Sequence, residues 1–298
     1  MGNDSKFALD TAVKADPAVP GRYVAELTDD WNAPLNPQGG ITTVVALRAM
    51  MAELDQPHEQ LRTVNTVFVA QVPSGSLEVD VAVLRRGRTM SHATATIRAP
   101  GERAGHTVTA VFGTTRVGFE FTNVTMPVVP PPEESRPWRD PPPDGVELRG
   151  MRFGYWDNVE SRAAFGHPAW ENHPPDPDGC AYWWRFDEPP RLSDGRLDPL
   201  ALVSVCDSMP GAVFERIGRA DDMPVGYSPS VDLNVQILGD AYSEWLLTHT
   251  EARHASDGYA SAQNSIWDPE RGLVAFATQT MFFSFPDGAP DPARLRVD

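Results

Sequence analysis

Cysteine, basic charge and long apolar runs are all scarce in this chain of 298 residues. Cys180 and Cys206 supply neither a disulfide framework nor a zinc spacing, and they read as reduced thiols. Lys and Arg number 25 against 41 Asp and Glu, a formal net charge of -16. Such a field repels phosphates, so neither nucleic acid nor an anionic membrane is an expected partner. The longest apolar stretch, 41–52, contains Arg48 and falls short of the roughly 20 residues that span a bilayer. The opening MGNDSKFALD has no apolar signal-peptide segment, and Lys6 stands where a myristoylation motif wants Ser or Thr; a cytoplasmic location is expected. No G-x-S-x-G elbow, Walker A loop or dinucleotide glycine fingerprint occurs, which disfavours a serine nucleophile and bound nucleotides.

What is present is ordinary globular composition, 41% hydrophobic and 9% aromatic. The length suits one large domain or two medium ones. Proline punctuates the middle: the stretch 125–150, TMPVVPPPEESRPWRDPPPDGVELRG, reads as an extended linker because proline fixes φ and removes backbone donors. The expected division is a unit over 1–124, the linker over 125–150 and a second unit over 151–298.

Each unit shows the same order of elements. In the first, a strand over 21–27 leads through Gln38-Gly39-Gly40 into a helix over 41–54 that is apolar almost all round and should be covered on most sides. Strands follow over 62–71 and in three runs of period-two alternation, about Val79, Ala95 and Ala110, separated by turns rich in Gly and Pro. In the second, strands are expected over 152–158 and 181–186. A helix then starts at Asp198 as N-cap with Pro199 at its first position. Strands over 231–238, 244–252, 259–267 and 273–283 complete the unit. One buried helix followed by about four antiparallel strands, twice, predicts an α+β fold: a double hotdog, each helix wrapped by a long antiparallel sheet.

The sequence also resembles the TesB-like acyl-CoA thioesterases, in their double-hotdog branch. The residues that carry the resemblance are Gln38-Gly39-Gly40 at the helix entry, Phe68-Val69-Ala70-Gln71-Val72-Pro73-Ser74-Gly75 and Val83-Leu84-Arg85-Arg86-Gly87-Arg88. In the second half they are Asp207 on the helix, Ser230-Val231-Asp232, and the closing strand with Gln279. Gln71 departs from the family's usual proline, and Ser230 replaces its commoner Thr. The resemblance implies hydrolysis of acyl-CoA to fatty acid and coenzyme A, with coenzyme A entering as part of the substrate and no separate cofactor. It implies that Asp207, Ser230 and Gln279 position the attacking water. Family assemblies also imply that a homo-oligomer is possible.

The residues speak partly for this on their own. Asp207 sits among Val203, Val205 and Cys206, where an unpaired carboxylate is costly, so a partner is required. Pro210 cannot donate to the carbonyl of Cys206, so the helix should bend or end there. Gln279 shares a strand face with Ala275, Ala277 and Met281, an odd place for an amide without a task. Ser230 shares its parity with Asp232, Asn234 and Gln236, a polar face whose default is solvent; its strand must bend for the site to form. Gln38, Gly39 and Gly40 read either as a thioester-carbonyl site made of free helix amides or as close helix packing. Arg85, Arg86 and Arg88 form a basic knot that either meets the phosphates of coenzyme A or lies solvated on a hairpin. The loop 167–179, with His167, His173, Asp176 and Asp178, reads as solvated and without a standard metal spacing. Two further readings stay open: a hotdog enoyl-CoA hydratase or dehydratase, suggested by Asp30-Trp31-Asn32-Ala33-Pro34-Leu35 but lacking the histidine that Asn36 replaces, and a non-catalytic acyl-CoA-binding protein.

Overall fold

The computed structural model describes residues 4–141, 144, 154–168, 170–219 and 227–285. A short helix α1 (Lys6–Asp10) and strands β1 (Lys14–Ala15) and β2 (Arg22–Leu27) precede the first long helix, α2 (Gly39–Leu54). Strands β3 (Gln60–Phe68), β4 (Gly75–Arg86), β5 (Met90–Arg98) and β6 (His106–Gly113) follow. The second half contributes β7 (Arg136–Pro137), β8 (Val159–Phe165), β9 (Cys180–Phe186), helices α3 (Pro199–Cys206) and α4 (Pro210–Ile217), and strands β10 (Ser230–Ile237), β11 (Leu246–Ser256), β12 (Tyr259–Asp268) and β13 (Gly272–Phe282).

Among the described residues, all 13 strands join one antiparallel sheet in the order β1-β2-β4-β5-β6-β3-β10-β13-β12-β11-β9-β8-β7. The halves meet at the β3–β10 pair, where Val64 lies opposite Val235. The sheet curls so that α2 and α3 share its inner face. Alternate residues feed the core from each strand: Leu77 and Val79 from β4, Ala93, Ala95 and Ile97 from β5, Leu233 and Val235 from β10. Most of α2 is buried, from Gly40 to Met50 on nearly every side, as its apolar sequence requires. This is the double hotdog expected from the order of elements.

Two local expectations are corrected, those for 152–158 and 167–179, and two are sharpened, those for the linker and for the helix end before Pro210. The run 152–158 contains no strand among its described residues; Gly154–Asp157 form a 3-10 turn instead. Gly154 packs so close to Asp29 and Asp30 that a Cβ would lie 2.8 Å from the Asp29 carbonyl, and the Asn158 amide ties the turn to the Asp30 carbonyl at 2.9 Å. The linker is not wholly irregular, since Arg136–Pro137 pair with β8 as an edge strand, a place where proline's missing donor costs no ladder bond. The segment after Pro210 is a second helix, α4, with Pro210 at its first position, where a missing N–H is harmless. Finally, the loop 167–179 is not simply solvated. His173 is buried, and its ring lies 3.9 Å from that of His167. The His167 amide and Nδ1 both reach the buried Glu215 carboxylate at 2.8 Å.

Candidate active site

The helix α3 ends at Cys206, and Asp207 takes the C-cap position with φ -83° and ψ 57°. Its own N–H reaches only Ser204 O, at 3.3 Å, and Pro210 supplies no donor farther on. The end of the helix is held instead by Gln38, whose Nε2 donates to the carbonyls of Ser204 at 2.8 Å and Asp207 at 2.9 Å. Gln38 is therefore a brace on the helix end, and its Nε2 is committed to that task.

The first half also supplies the partner that the Asp207 carboxylate requires. α2 runs antiparallel to α3 and begins beside its end. The Gly40 N–H donates to Oδ2 of Asp207 at 2.9 Å. Gly40 must be small as well, because a Cβ there would lie 2.8 Å from Ser204 Cα and 2.9 Å from the Val203 carbonyl. Close packing at the glycine pair is therefore present. The Gly40 amide is aimed at Asp207 and does not stand free for a thioester oxygen. Gly39 packs with its Cα face against the Phe68 ring, leaving no room for a side chain.

The other carboxylate oxygen faces β13. Gln279, on the inner face and 1% exposed, donates from Nε2 to Oδ1 of Asp207 at 2.5 Å and to Oγ of Ser230 at 2.7 Å. Ser230 reaches this face through a β-bulge. From Ile237 back to Asp232 the β10–β13 register is regular, then it slips: Asp232 opposes Thr280, and Ser230 opposes Met281. The extra residue, Val231, turns Ser230 inward beside Met281. Asp232 secures the bulge, its Oδ1 accepting from the Thr280 N–H at 2.8 Å. The bend that the polar parity of this strand demanded is therefore a bulge.

Burial raises the Asp207 pKa above the ordinary carboxylate range, while the bonds from Gly40, Gln279, Gly39 and Ser230 pull it back. The residue as a whole keeps a minor part of its surface open. Two further groups were not read as site residues from the sequence. Asn264, 0% exposed on β12, directs its amide toward Ser208 Oγ at 3.5 Å and leaves Oδ1 without a partner. Its signal was present: an amide on the inward parity of Ala260, Ala262 and Ile266. Tyr155 closes the floor, its hydroxyl 3.5 Å from Ser204 Oγ and its pKa pushed up by full burial. From the sequence it reads, with Trp156, as a core or rim aromatic.

Two other groups of expected residues stand apart. Arg85, Arg86 and Arg88 lie on an exposed hairpin, where Arg86 donates to the Glu53 carbonyl at the far end of α2. At 1.5 Å per residue, that is about 20 Å from Gly40. The structure does not bring them to Asp207, so any contact they make with substrate lies away from the acid. Asp30, first residue of the hydratase-like run, is bound to Lys6 at 2.7 Å on the surface. As for metals, the ligating atoms of His167, His173 and Glu215 lie within 4.8 Å of one another. The two rings are parallel within 1°, so their in-plane lone pairs cannot converge on one ion. The two Nδ1 atoms face Glu215 and Pro174 O, and the cluster ties the loop to α4.

Two curled hotdog units in one sheet, with an acid from one half capped by a helix from the other, define a double-hotdog protein built around a buried carboxylate. Models of the acyl-CoA thioesterase C-terminal and N-terminal domains match residues 132–283 and 27–114. The chain belongs to the acyl-CoA thioesterase family and is a thioester hydrolase. Among solved structures it is similar to a hotdog-fold protein from Alicyclobacillus acidocaldarius, with TM-score 0.77, 24% identity, and 94% of this chain and 98% of that one covered. It is also similar to the tesB protein of Mycobacterium avium subs paratuberculosis, with TM-score 0.70, 20% identity and 93% and 98% covered. A third is the acyl-CoA thioesterase II TesB2 of Mycobacterium marinum, with TM-score 0.71, 18% identity and 96% and 99% covered. No curated protein matches the chain. Among the described residues, no helix is long and apolar enough to cross a membrane.

Proposed function

We propose that the protein hydrolyses acyl-CoA to a free fatty acid and coenzyme A, with Asp207 as the general base. The single observation that carries this reading is the convergence of the Gly40 N–H and Gln279 Nε2 on one largely buried acid, with Ser230 Oγ held by the same Nε2. Asp207 takes a proton from water as the water oxygen bonds to the thioester carbonyl carbon. The tetrahedral intermediate then collapses, the C–S bond breaks, and the proton passes to the departing thiolate. A thiolate is a competent leaving group, since an ordinary thiol has a pKa of about 8.5. A weak base in a desolvated site is therefore sufficient.

The carbonyl oxygens of Gln279 and Asn264, buried and without partners, support a bound water. A buried polar group costs stability when unpaired, and a water beside Asp207 offers donors that the protein lacks there. Ser230 and Gln279 fix the carboxylate's direction and so the water's. The pocket's charge favours a neutral acyl chain next to the acid, because a second carboxylate would be repelled.

The test is thiol release from a panel of acyl-CoAs, followed with a thiol reagent. Asp207→Asn preserves the shape and the bond from Gly40. It should lower kcat by about 10²–10⁴-fold, the usual worth of a positioned base. Release that survives the substitution in the folded variant would reject this mechanism.

A further inference from the structure

The far end of α2 carries a second polar anomaly, unrelated to the hydrolytic site. Beyond Leu54 the chain turns through Asp55 and Gln56, and a cavity of about 300 Å³ opens there. Met51, Leu54 and Phe112 give it an apolar side, and Asp55 and Gln56 a polar rim. The same cavity is lined by Glu59, which is only 5% exposed. Neither carboxylate oxygen of Glu59 has a hydrogen-bond partner.

An unpartnered carboxylate in such a place is unfavourable twice over. It has lost its water, and it sits at the negative end of a long helix dipole. Nearby arginines do not relieve it. Arg62 donates to Gly113 O at 3.1 Å, and Arg86 donates to Glu53 O at 2.8 Å. A cation from outside relieves both penalties at once. A bare divalent metal ion is a poor match, since a calcium ion takes about 6–8 oxygen ligands and only Asp55, Gln56 and Glu59 among the lining residues carry side-chain oxygens. The three-ligand cluster among the described residues lies elsewhere, at His167, His173 and Glu215. The volume is at the small end of the range for organic ligands.

We propose that this cavity binds a small organic cation, an alkylammonium whose charged head meets Glu59 and whose short apolar body packs against Met51, Leu54 and Phe112. Glu59 supplies the charge, and the helix end supplies the negative field around it. The apolar wall selects against the more strongly hydrated inorganic cations.

The experiment uses the full chain and n-butylammonium chloride as probe, with n-butanol and sodium chloride at matched ionic strength as controls. Calorimetry and thermal unfolding should show saturable binding and a raised Tm for the amine alone. Glu59→Gln, which keeps shape and removes charge, should weaken binding by about tenfold or more, as expected for loss of a charge-assisted hydrogen bond. Met51→Trp, which fills the cavity mouth without touching Glu59, should also reduce binding and guards against a misfolded first variant. Thiol release from acyl-CoA reports that each variant is native. The proposal is overturned by non-saturable binding, by equal binding in Glu59→Gln, or by equal effects of n-butanol. Self-association that Glu59→Gln abolishes would likewise overturn it, assigning Glu59 to a basic side chain of a second copy.

Discussion

The Gly40 amide donates to Oδ2 of Asp207 at 2.9 Å, and this bond carries the electrostatics of the candidate site across the boundary between the two halves. The positive end of α2 contributes about 0.3–1 kcal/mol at an exposed site and up to ~2 kcal/mol in a partly buried one. That offsets part of the desolvation that raises the Asp207 pKa. The half that lacks a matching acid thus supplies the dipole for the half that has one. The fused chain fixes that pairing.

Gly40→Ala tests the close approach. Alanine is the better helix former by up to about 1 kcal/mol, so propensity alone predicts a gain. Here the new Cβ would meet the backbone of Ser204 and Val203 at 2.8–2.9 Å, and backbone cannot swing aside. The expected net outcome is a loss of about 1–3 kcal/mol, the usual cost of overpacking. Urea unfolding measures it. Thiol release should fall as well, because parting the helices lengthens the Gly40–Asp207 bond. A stabilised, active variant would contradict the helix–helix geometry.

The pH dependence follows from the raised Asp207 pKa. As the proposed base, Asp207 must be ionised, so kcat/KM should fall on the acid side at a higher pH than an ordinary carboxylate would give. Stability should move the other way. The folded protein holds this proton more tightly than the unfolded chain, so stability contributed at low pH is lost as pH rises through the folded pKa. Asp207→Asn removes this contribution. The Tm difference between the variant and the wild-type protein should therefore widen in the variant's favour as pH rises across that window. A pH-independent difference would show that Asp207 does not titrate with a raised pKa.

The bulge at Val231 makes its own demand on Asp232. Its Oδ1 takes the Thr280 N–H, 2.8 Å away, where the ladder has slipped. Asp232→Ala leaves that half-buried amide without its acceptor and should cost about 0.5–1.5 kcal/mol, the net worth of one hydrogen bond. Asp232→Asn should keep most of the bond. If the bulge relaxes, Ser230 turns away from Gln279, so kcat should drop with Asp232→Ala while KM changes little. Ser230→Ala should cost less than tenfold, roughly one neutral hydrogen bond, and Ser230→Thr should retain activity. Urea unfolding and steady-state kinetics on the four proteins decide it.

These positions also show what the sequence could and could not reveal. Asp207 and Gln279 were legible because each is a polar residue on an apolar face, and burial then forces them to find partners. Asn264 carried the same signal among alanines. Ser230 was legible by resemblance only, since its parity points outward. The bulge that reverses it is a register slip set by pairing with β13, and no local propensity marks it. Gln38 and the glycines were seen as a helix entry, but their partners lie more than 160 residues away in sequence. Arg85, Arg86 and Arg88 looked relevant by charge, a property that carries no information about which end of α2 the hairpin covers. Strand order was legible twice over because alternation survives wherever one face of a sheet is wet and the other dry.

His106 gives the last prediction. It is 6% exposed at the start of β6, its ring edge-on to Phe68 at 4.8 Å, its Nδ1 2.9 Å from the Thr42 hydroxyl on the first turn of α2. Burial pushes its pKa down to about 4 from 6.5. The neutral ring is the folded form, and the unfolded chain binds the proton more readily. Stability is then fully present above pH 6.5 and declines as pH falls toward the folded value of about 4. At 1.36 kcal/mol per pKa unit, the loss is of order 3 kcal/mol at most. His106→Gln, which can still share a hydrogen bond with Thr42, should flatten the fall in Tm between pH 6.5 and 4. Because Phe68 packs on both His106 and Gly39, protonation of His106 should also loosen the entrance to the Asp207 site. Wild-type activity should therefore drop more steeply below pH 5 than that of the glutamine variant, over and above the loss from Asp207 itself. Matching acid limbs in the two proteins would separate His106 from the site.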